Sequence, residues 1–150
     1  MSAASTAPSD TALLGFARDA ATRAYAPYSQ FSVGAALLLS DGSVVTGCNV
    51  ENASYGLAVC AERVAVGRAV ADGLLGTGRA AGTTIEAAAV VGPGAAPCFP
   101  CGACRQVLHE FGCARVVVVE GEDPKADTPA TPLSLPFSEL LPRAFGPGDL

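Results

Sequence analysis

Two short stretches far apart in the chain carry its most reactive side chains: Cys60-Ala61-Glu62-Arg63 and Pro100-Cys101-Gly102-Ala103-Cys104-Arg105-Gln106. Thiolate sulfur binds zinc well, and three protein ligands leave the fourth tetrahedral position open for water, as hydrolytic zinc requires and structural zinc does not. Positions three apart on a helix share a face, so Cys101 and Cys104 are expected to address one ion from the first turn of their helix. Cys60 would supply the third thiolate from the first turn of another. Zinc carries +2 and three thiolates −3, so such a centre is about −1 and resists ionising its water. Two helix N-termini, each roughly +0.5, and the nearby Arg63 and Arg105 are the available compensation. The alternative for both arginines is a place on the surface. Glu62 is two residues from Cys60, a separation that does not align side chains along a helix, so three readings stay open: a metal ligand, a proton carrier beside the metal, or a solvated glutamate.

The elements that must position these groups follow from patterning. Ser9 or Asp10 can cap a helix whose apolar face runs from Leu13 to Ala24 and which ends before Pro27. Phe31 to Leu39 reads as a strand, residues 40–43 as a hairpin turn, and Val44 to Val50 as its partner. The polar run 49–56 then separates a strand from a helix, where α/β proteins place binding groups, though it also fits a solvated loop. A helix is expected from about Leu57 to Asp72, with Cys60, Val64, Gly67, Ala71 and Leu74 on neighbouring azimuths. Ile85 to Val91 and Val116 to Val119 are apolar runs of buried-strand length, with a helix from Cys101 to Phe111 between them. Residues 121–131 are expected to form an acidic loop, Leu133 to Leu135 a last edge strand, and Phe137 to Leu141 a short helix. The pattern predicts an α/β protein, a three-layer α/β/α sandwich around a mixed sheet of about five strands.

With 150 residues the chain is expected to form a single domain, residues 1–150, with 1–8 a flexible tail. Half the residues are hydrophobic and 15% are charged, so part of the surface is expected to be covered in a homo-oligomer. A net charge of −5 without any run of Lys or Arg excludes nucleic acid polymers as expected partners. No stretch approaches the roughly 20 apolar residues of a membrane span, and no signal-peptide pattern is present. The cytoplasm is the expected compartment, where six cysteines are metal ligands or buried thiols rather than disulfides.

Three separated motifs, Asn49-Val50-Glu51-Asn52-Ala53-Ser54-Tyr55, Cys60-Ala61-Glu62-Arg63 and Pro100-Cys101-Gly102-Ala103-Cys104-Arg105-Gln106, occur in an order that closely resembles the small homotetrameric cytidine deaminases. The resemblance extends from about Tyr28 to Phe145. It implies the cytidine-deaminase-like α/β/α fold, one Zn2+ per subunit on Cys60, Cys101 and Cys104, and Glu62 as proton shuttle. It implies a nucleoside substrate, cytidine or deoxycytidine, converted to the uridine form with release of ammonia in pyrimidine salvage. Asn49 and Glu51 match the family's ribose-binding pair, and Phe31 the aromatic that stacks on the base, though strand core is its plainer reading. Ala61 belongs to the same substrate-binding set. Tyr55 and Phe145 resemble positions contributed to a neighbouring subunit's pocket, which implies a homotetramer with shared active sites.

Cys98 departs from this pattern. With Cys60, Cys101 and Cys104 it could make a fourth ligand, which would describe a structural zinc site or an iron-sulfur protein rather than an enzyme. Pro100 and the complete downstream motif favour a place outside the metal site. A related deaminase of another aminopyrimidine nucleoside is the alternative within enzymes. His109 lies roughly 140° around its helix from Cys104 and is expected at the surface or an interface. Cys48 and Cys113 are expected to be small buried residues at strand ends.

Overall fold

The computed structural model describes residues 7–94, 97–120 and 131–150. Residues 1–6, most of the expected tail, and 121–130, most of the expected acidic loop, lie outside the described residues. The chain runs α1 (Asp10–Ala21), β1 (Gly34–Leu39), β2 (Val44–Cys48), α2 (Ala61–Ala71), β3 (Ile85–Val91), α3 (Gly102–Glu110), β4 (Arg115–Glu120), β5 (Thr131–Pro136) and α4 (Phe137–Leu140). The five strands form one sheet in the order β2-β1-β3-β4-β5, parallel only between β3 and β4. This is the mixed sheet that the alternation of elements predicts.

Central strands with both faces covered need no polar alternation, which is why β1 reads Gly-Ala-Ala-Leu-Leu-Leu and is buried throughout. Side chains on successive residues still point to opposite faces. Ala36, Leu38, Ala87, Ala89 and Val117 meet Leu13, Leu14 and Ala17 of α1 on one face. Ala35, Leu37, Leu39, Ala88 and Val116 meet Ala61, Ala65 and Ala69 of α2, Leu108 of α3 and Phe137 of α4 on the other. Ser9 caps α1, its Oγ accepting from the Ala12 N–H at 3.2 Å. Arg115 of β4 donates to Asp10 Oδ1 at 2.7 Å and ties the start of α1 to the sheet.

Several boundaries differ from the sequence reading for identifiable reasons. β1 begins at Gly34, not Phe31, because the Asn49 side chain holds the incoming backbone: its Nδ2 donates to Phe31 O at 2.9 Å and its Oδ1 accepts from Val33 N at 2.8 Å. α2 begins at Ala61, not Leu57. Val50 and Val59 exchange both backbone hydrogen bonds at 2.9 Å, and this bridge keeps residues 58–60 extended. The buried face of α2 is Ala61, Glu62, Ala65, Val66 and Ala69, on roughly the opposite side of the helix from the expected Val64, Gly67 and Ala71. Small side chains decide this: a Cβ on Gly47 of β2 would lie 2.5 Å from Ala61 O and from Ala65 N, so the helix backbone sits directly on the strand. In β5 Pro132 and Pro136 lie within the strand, tolerated because β5 is an edge.

Candidate active site

Cys60 and Cys101 each occupy the N-cap of a helix, with extended backbone angles (φ −69°, ψ 155° and φ −67°, ψ 169°), rather than the first turn that their motifs were expected to provide. An N-cap side chain faces the free N–H groups of the turn that follows it. Cys104, buried, lies on the first turn of α3. The three Sγ atoms lie within 4.8 Å of one another, and Cys60 Sγ is 3.9 Å from Cys101 Sγ. With Zn–S bonds of about 2.3 Å, sulfurs at the corners of a tetrahedron stand roughly 3.8 Å apart, so the donor set and its spacing fit zinc. Cys98 is not a member of this group.

Burial pushes the Cys60 and Cys104 thiols up, and nearby acidic groups add to the effect. Burial also acts on Cys101, but the N–H groups of Cys104 and Ala103, with the Cys104 and Cys60 thiols, outweigh it and lower this thiol overall. The N-cap position therefore does what an anion site at a helix start does. Arg63 Nη2 lies 3.9 Å from Cys60 Sγ and donates to Ala58 O at 3.1 Å. Proximity to that sulfur raises the guanidinium further, and its Nε is buried without a hydrogen-bond partner. Arg105 is bonded to the main chain. Its Nε donates to Pro100 O at 2.8 Å and its Nη1 to Leu140 O at 2.9 Å, so the guanidinium laces the start of α3 to the end of α4.

Glu62 is 4% exposed, and burial holds its carboxyl above the ordinary carboxylate range against the opposing pull of its own backbone N–H, the Cys104 thiol and Arg63. It faces a cavity of about 190 Å³ together with Val33, Asn49, Cys60, Ala61, Cys98, Phe99 and Cys101. Two of the expected substrate contacts, Asn49 and Ala61, therefore share the cavity with the carboxylate and two of the thiols.

The other expected contacts do not line this cavity. The Glu51 carboxylate accepts from the Tyr28 and Ser29 N–H groups at 2.9 and 3.2 Å and from the Ser29 hydroxyl. The Ser29 bond is the main cause of a carboxyl held below its ordinary range. Glu51 and Tyr55 line a second cavity of about 220 Å³ with Tyr28, Ser29, Asn52 and Ala58. Phe31 is 46% exposed beside Gly92, while Tyr55 is 76% and Phe145 63% exposed. Gln106 donates to Phe145 O at 2.9 Å, and Gly146 packs against His109, where a Cβ would lie 2.6 Å from Nε2. His109 is half-buried and stacks on Phe137 with centroids 6.3 Å apart.

The sequence reading missed Ser29 and Tyr28 as partners of Glu51 and Val33 and Phe99 as wall residues. The signal for Ser29 was its position two residues before Phe31, whose N–H its hydroxyl accepts at 3.0 Å, a local turn chemistry legible in sequence. Cys113 is buried, as expected, and its thiol is pushed up to about 12 by burial. Cys48 is half-buried.

Comparison with known proteins adds independent findings. Residues 8–120 match the model of the cytidine and deoxycytidylate deaminase zinc-binding region. A cytidine deaminase of Mycobacterium tuberculosis is 48% identical over 138 residues, 92% of this chain and 90% of the relative. One of Sporosarcina psychrophila is 42% identical over 138 residues, covering 92% of each. The crystal structure of cytidine deaminase from Burkholderia pseudomallei superposes with a TM-score of 0.75 at 44% identity, covering 92% of this chain and all of that one. The chain belongs to the cytidine and deoxycytidylate deaminase zinc-binding family.

Proposed function

We propose that this chain deaminates cytidine and deoxycytidine hydrolytically, with zinc, to uridine and deoxyuridine and ammonia. The observation that carries the reading is one cavity walled by the buried Glu62 and by two thiols of a three-thiol cluster spaced for zinc. Cys60, Cys101 and Cys104 would hold one ion per chain. Zinc in that place supplies a Lewis acid that brings the acidity of a water towards a pKa of about 7. Glu62 takes a proton from the attacking water and passes it to N3 of the pyrimidine, then takes the remaining proton of the hydroxyl added at C4 and delivers it to the amine, which departs as ammonia. A carboxyl whose proton affinity is raised by burial suits a carrier that must hold a proton between two transfers. Arg63, 3.9 Å from Cys60 Sγ, offsets the excess negative charge of three thiolates.

Substrate selection follows from the polar groups beside the cavity. After its bonds to Phe31 and Val33, the Asn49 amide keeps one donor position and acceptor capacity for a ribose hydroxyl. Glu51, two residues on and held by the Tyr28 and Ser29 amides, is assigned the second ribose contact, and Phe31 a face for the base. Ala61, buried, closes the wall. Tyr55 and Phe145 project outward, and we assign them to the pocket of a neighbouring copy in a homotetramer, for which the exposed Tyr25, Tyr28 and Leu57 provide apolar contact surface. A cytoplasmic enzyme of pyrimidine salvage is the setting this chemistry fits. No helix of the described residues is long and apolar enough to cross a membrane.

Ultraviolet absorbance of purified protein mixed with cytidine, deoxycytidine and free cytosine tests the proposal. The two nucleosides should be consumed, cytosine should not, and a zinc chelator should abolish turnover that added zinc restores. No change with either nucleoside would reject the reading, and consumption of cytosine alone would reject the assignment of Asn49 and Glu51.

A further inference from the structure

We infer that Cys98 and Gly92 are positioning residues for Phe31, and that together they fix the place of its ring beside the catalytic cavity. The inference rests on the reading that Phe31 stacks on the base. The backbone of Phe31 is held on both sides, its N–H by Ser29 Oγ at 3.0 Å and its carbonyl by Asn49 Nδ2 at 2.9 Å. Nearly half of the residue is exposed, so the ring needs a support that the backbone does not provide. That support is at Gly92, just past the end of β3. A Cβ built there would lie 2.9 Å from Cys98 Sγ, 3.1 Å from Cys98 Cβ and 3.2 Å from Phe31 Cε1, so the thiol and the ring edge converge on the space that glycine leaves. The same Cys98 forms part of the cavity wall that contains Glu62 and Cys101. One small side chain thus faces the reaction space and also backs the region where the ring edge rests.

Packing at this density leaves little room for change in either direction. Removing sulfur from residue 98 frees the ring to leave its place, and adding a methyl at residue 92 drives the thiol or the ring away. Both should weaken binding of the base without touching the proton carrier or the metal ligands. Cys98 would then have nothing to do with coordination, although it stands three residues before Cys101.

The test is steady-state kinetics with cytidine and zinc stoichiometry for Cys98→Ala, Gly92→Ala, the double variant and Phe31→Ala. Phe31→Ala should raise KM about tenfold or more through lost stacking. Cys98→Ala should raise KM about fivefold with kcat and zinc content within a factor of two, since misplacement acts on binding geometry. Gly92→Ala should raise KM further, and the double variant should fall below it, because the added methyl enters the space that sulfur vacated. An unchanged KM in Cys98→Ala beside a raised KM in Phe31→Ala overturns the inference, as does loss of zinc in Cys98→Ala. An unchanged KM in Phe31→Ala removes the stacking reading itself. Should Gly92→Ala fail to fold, Cys98→Ala and Phe31→Ala decide alone.

Discussion

The two faces of the sheet are packed to different ends. Under α1, Leu13, Leu14 and Ala17 press on Ala36, Leu38, Ala87, Ala89 and Val117, and the buried cluster is hydrocarbon throughout. On the other face α2 and α3 present their N-termini, with cysteines at both N-caps, and the buried residues include the carboxylate of Glu62. An apolar contact returns its full burial as stability, whereas a buried carboxylate costs stability and is kept for what it does. One face of a single sheet is therefore a foundation, and the other gives up some stability for reactivity.

Substitutions on each face test that division. The largest effect is expected from Glu62→Gln on the reactive face: kcat should fall by roughly 10² to 10⁴, the scale of positioned proton transfer, while zinc content stays at one per chain and the melting temperature holds or rises. A Glu62→Gln protein that has lost its zinc would blur the line between carrier and ligand. Leu13→Ala on the other face should reverse the pattern. Stability should drop by about 2–5 kcal/mol, seen in denaturant or thermal melts, with kcat per folded molecule retained. A change in kcat larger than the loss of folded protein would mean that α1 reaches the site.

The smallest effect concerns the polar rim. Because the native fold lowers the Glu51 carboxyl from its ordinary 4.5, its grip on the Tyr28 and Ser29 amides is complete above that value and is lost as pH falls through the lower native one. Amide resonances of Tyr28 and Ser29 followed from pH 7 to pH 3 should shift with a midpoint below 4.5. A midpoint at or above 4.5 would show that the carboxylate does not hold the loop in solution.

Much of this arrangement is legible in the sequence because the groups that carry it act over short spans. Cys101 and Cys104 meet through one helical turn, and the apolar runs 85–91 and 116–119 announce strands covered on both faces. What sequence spacing did not reveal depends on partners far along the chain. The start of α2 is set by the Val50–Val59 bridge, and the register of its buried face by Gly47 on another element. Arg105 is adjacent to a thiol in sequence, yet its Nε and Nη1 donate to the carbonyls of Pro100 and Leu140, the second of which lies 35 residues away. Asn49 and Glu51 read as ligand-binding groups, and their bonds to Phe31, Val33, Tyr28 and Ser29 emerge only once the loop folds back.

The contact at Gly47 bears on how the site keeps its accuracy. Where a helix rests on intervening side chains, its height above the sheet varies with the volume of each one. α2 instead touches β2 through main-chain atoms at Ala61 and Ala65, at the turn that also carries Cys60 and Glu62. The strand backbone acts as a datum against which those two residues are measured. Exchanges among Leu, Val and Ile elsewhere in the core can then accumulate without recalibrating where the proton carrier stands.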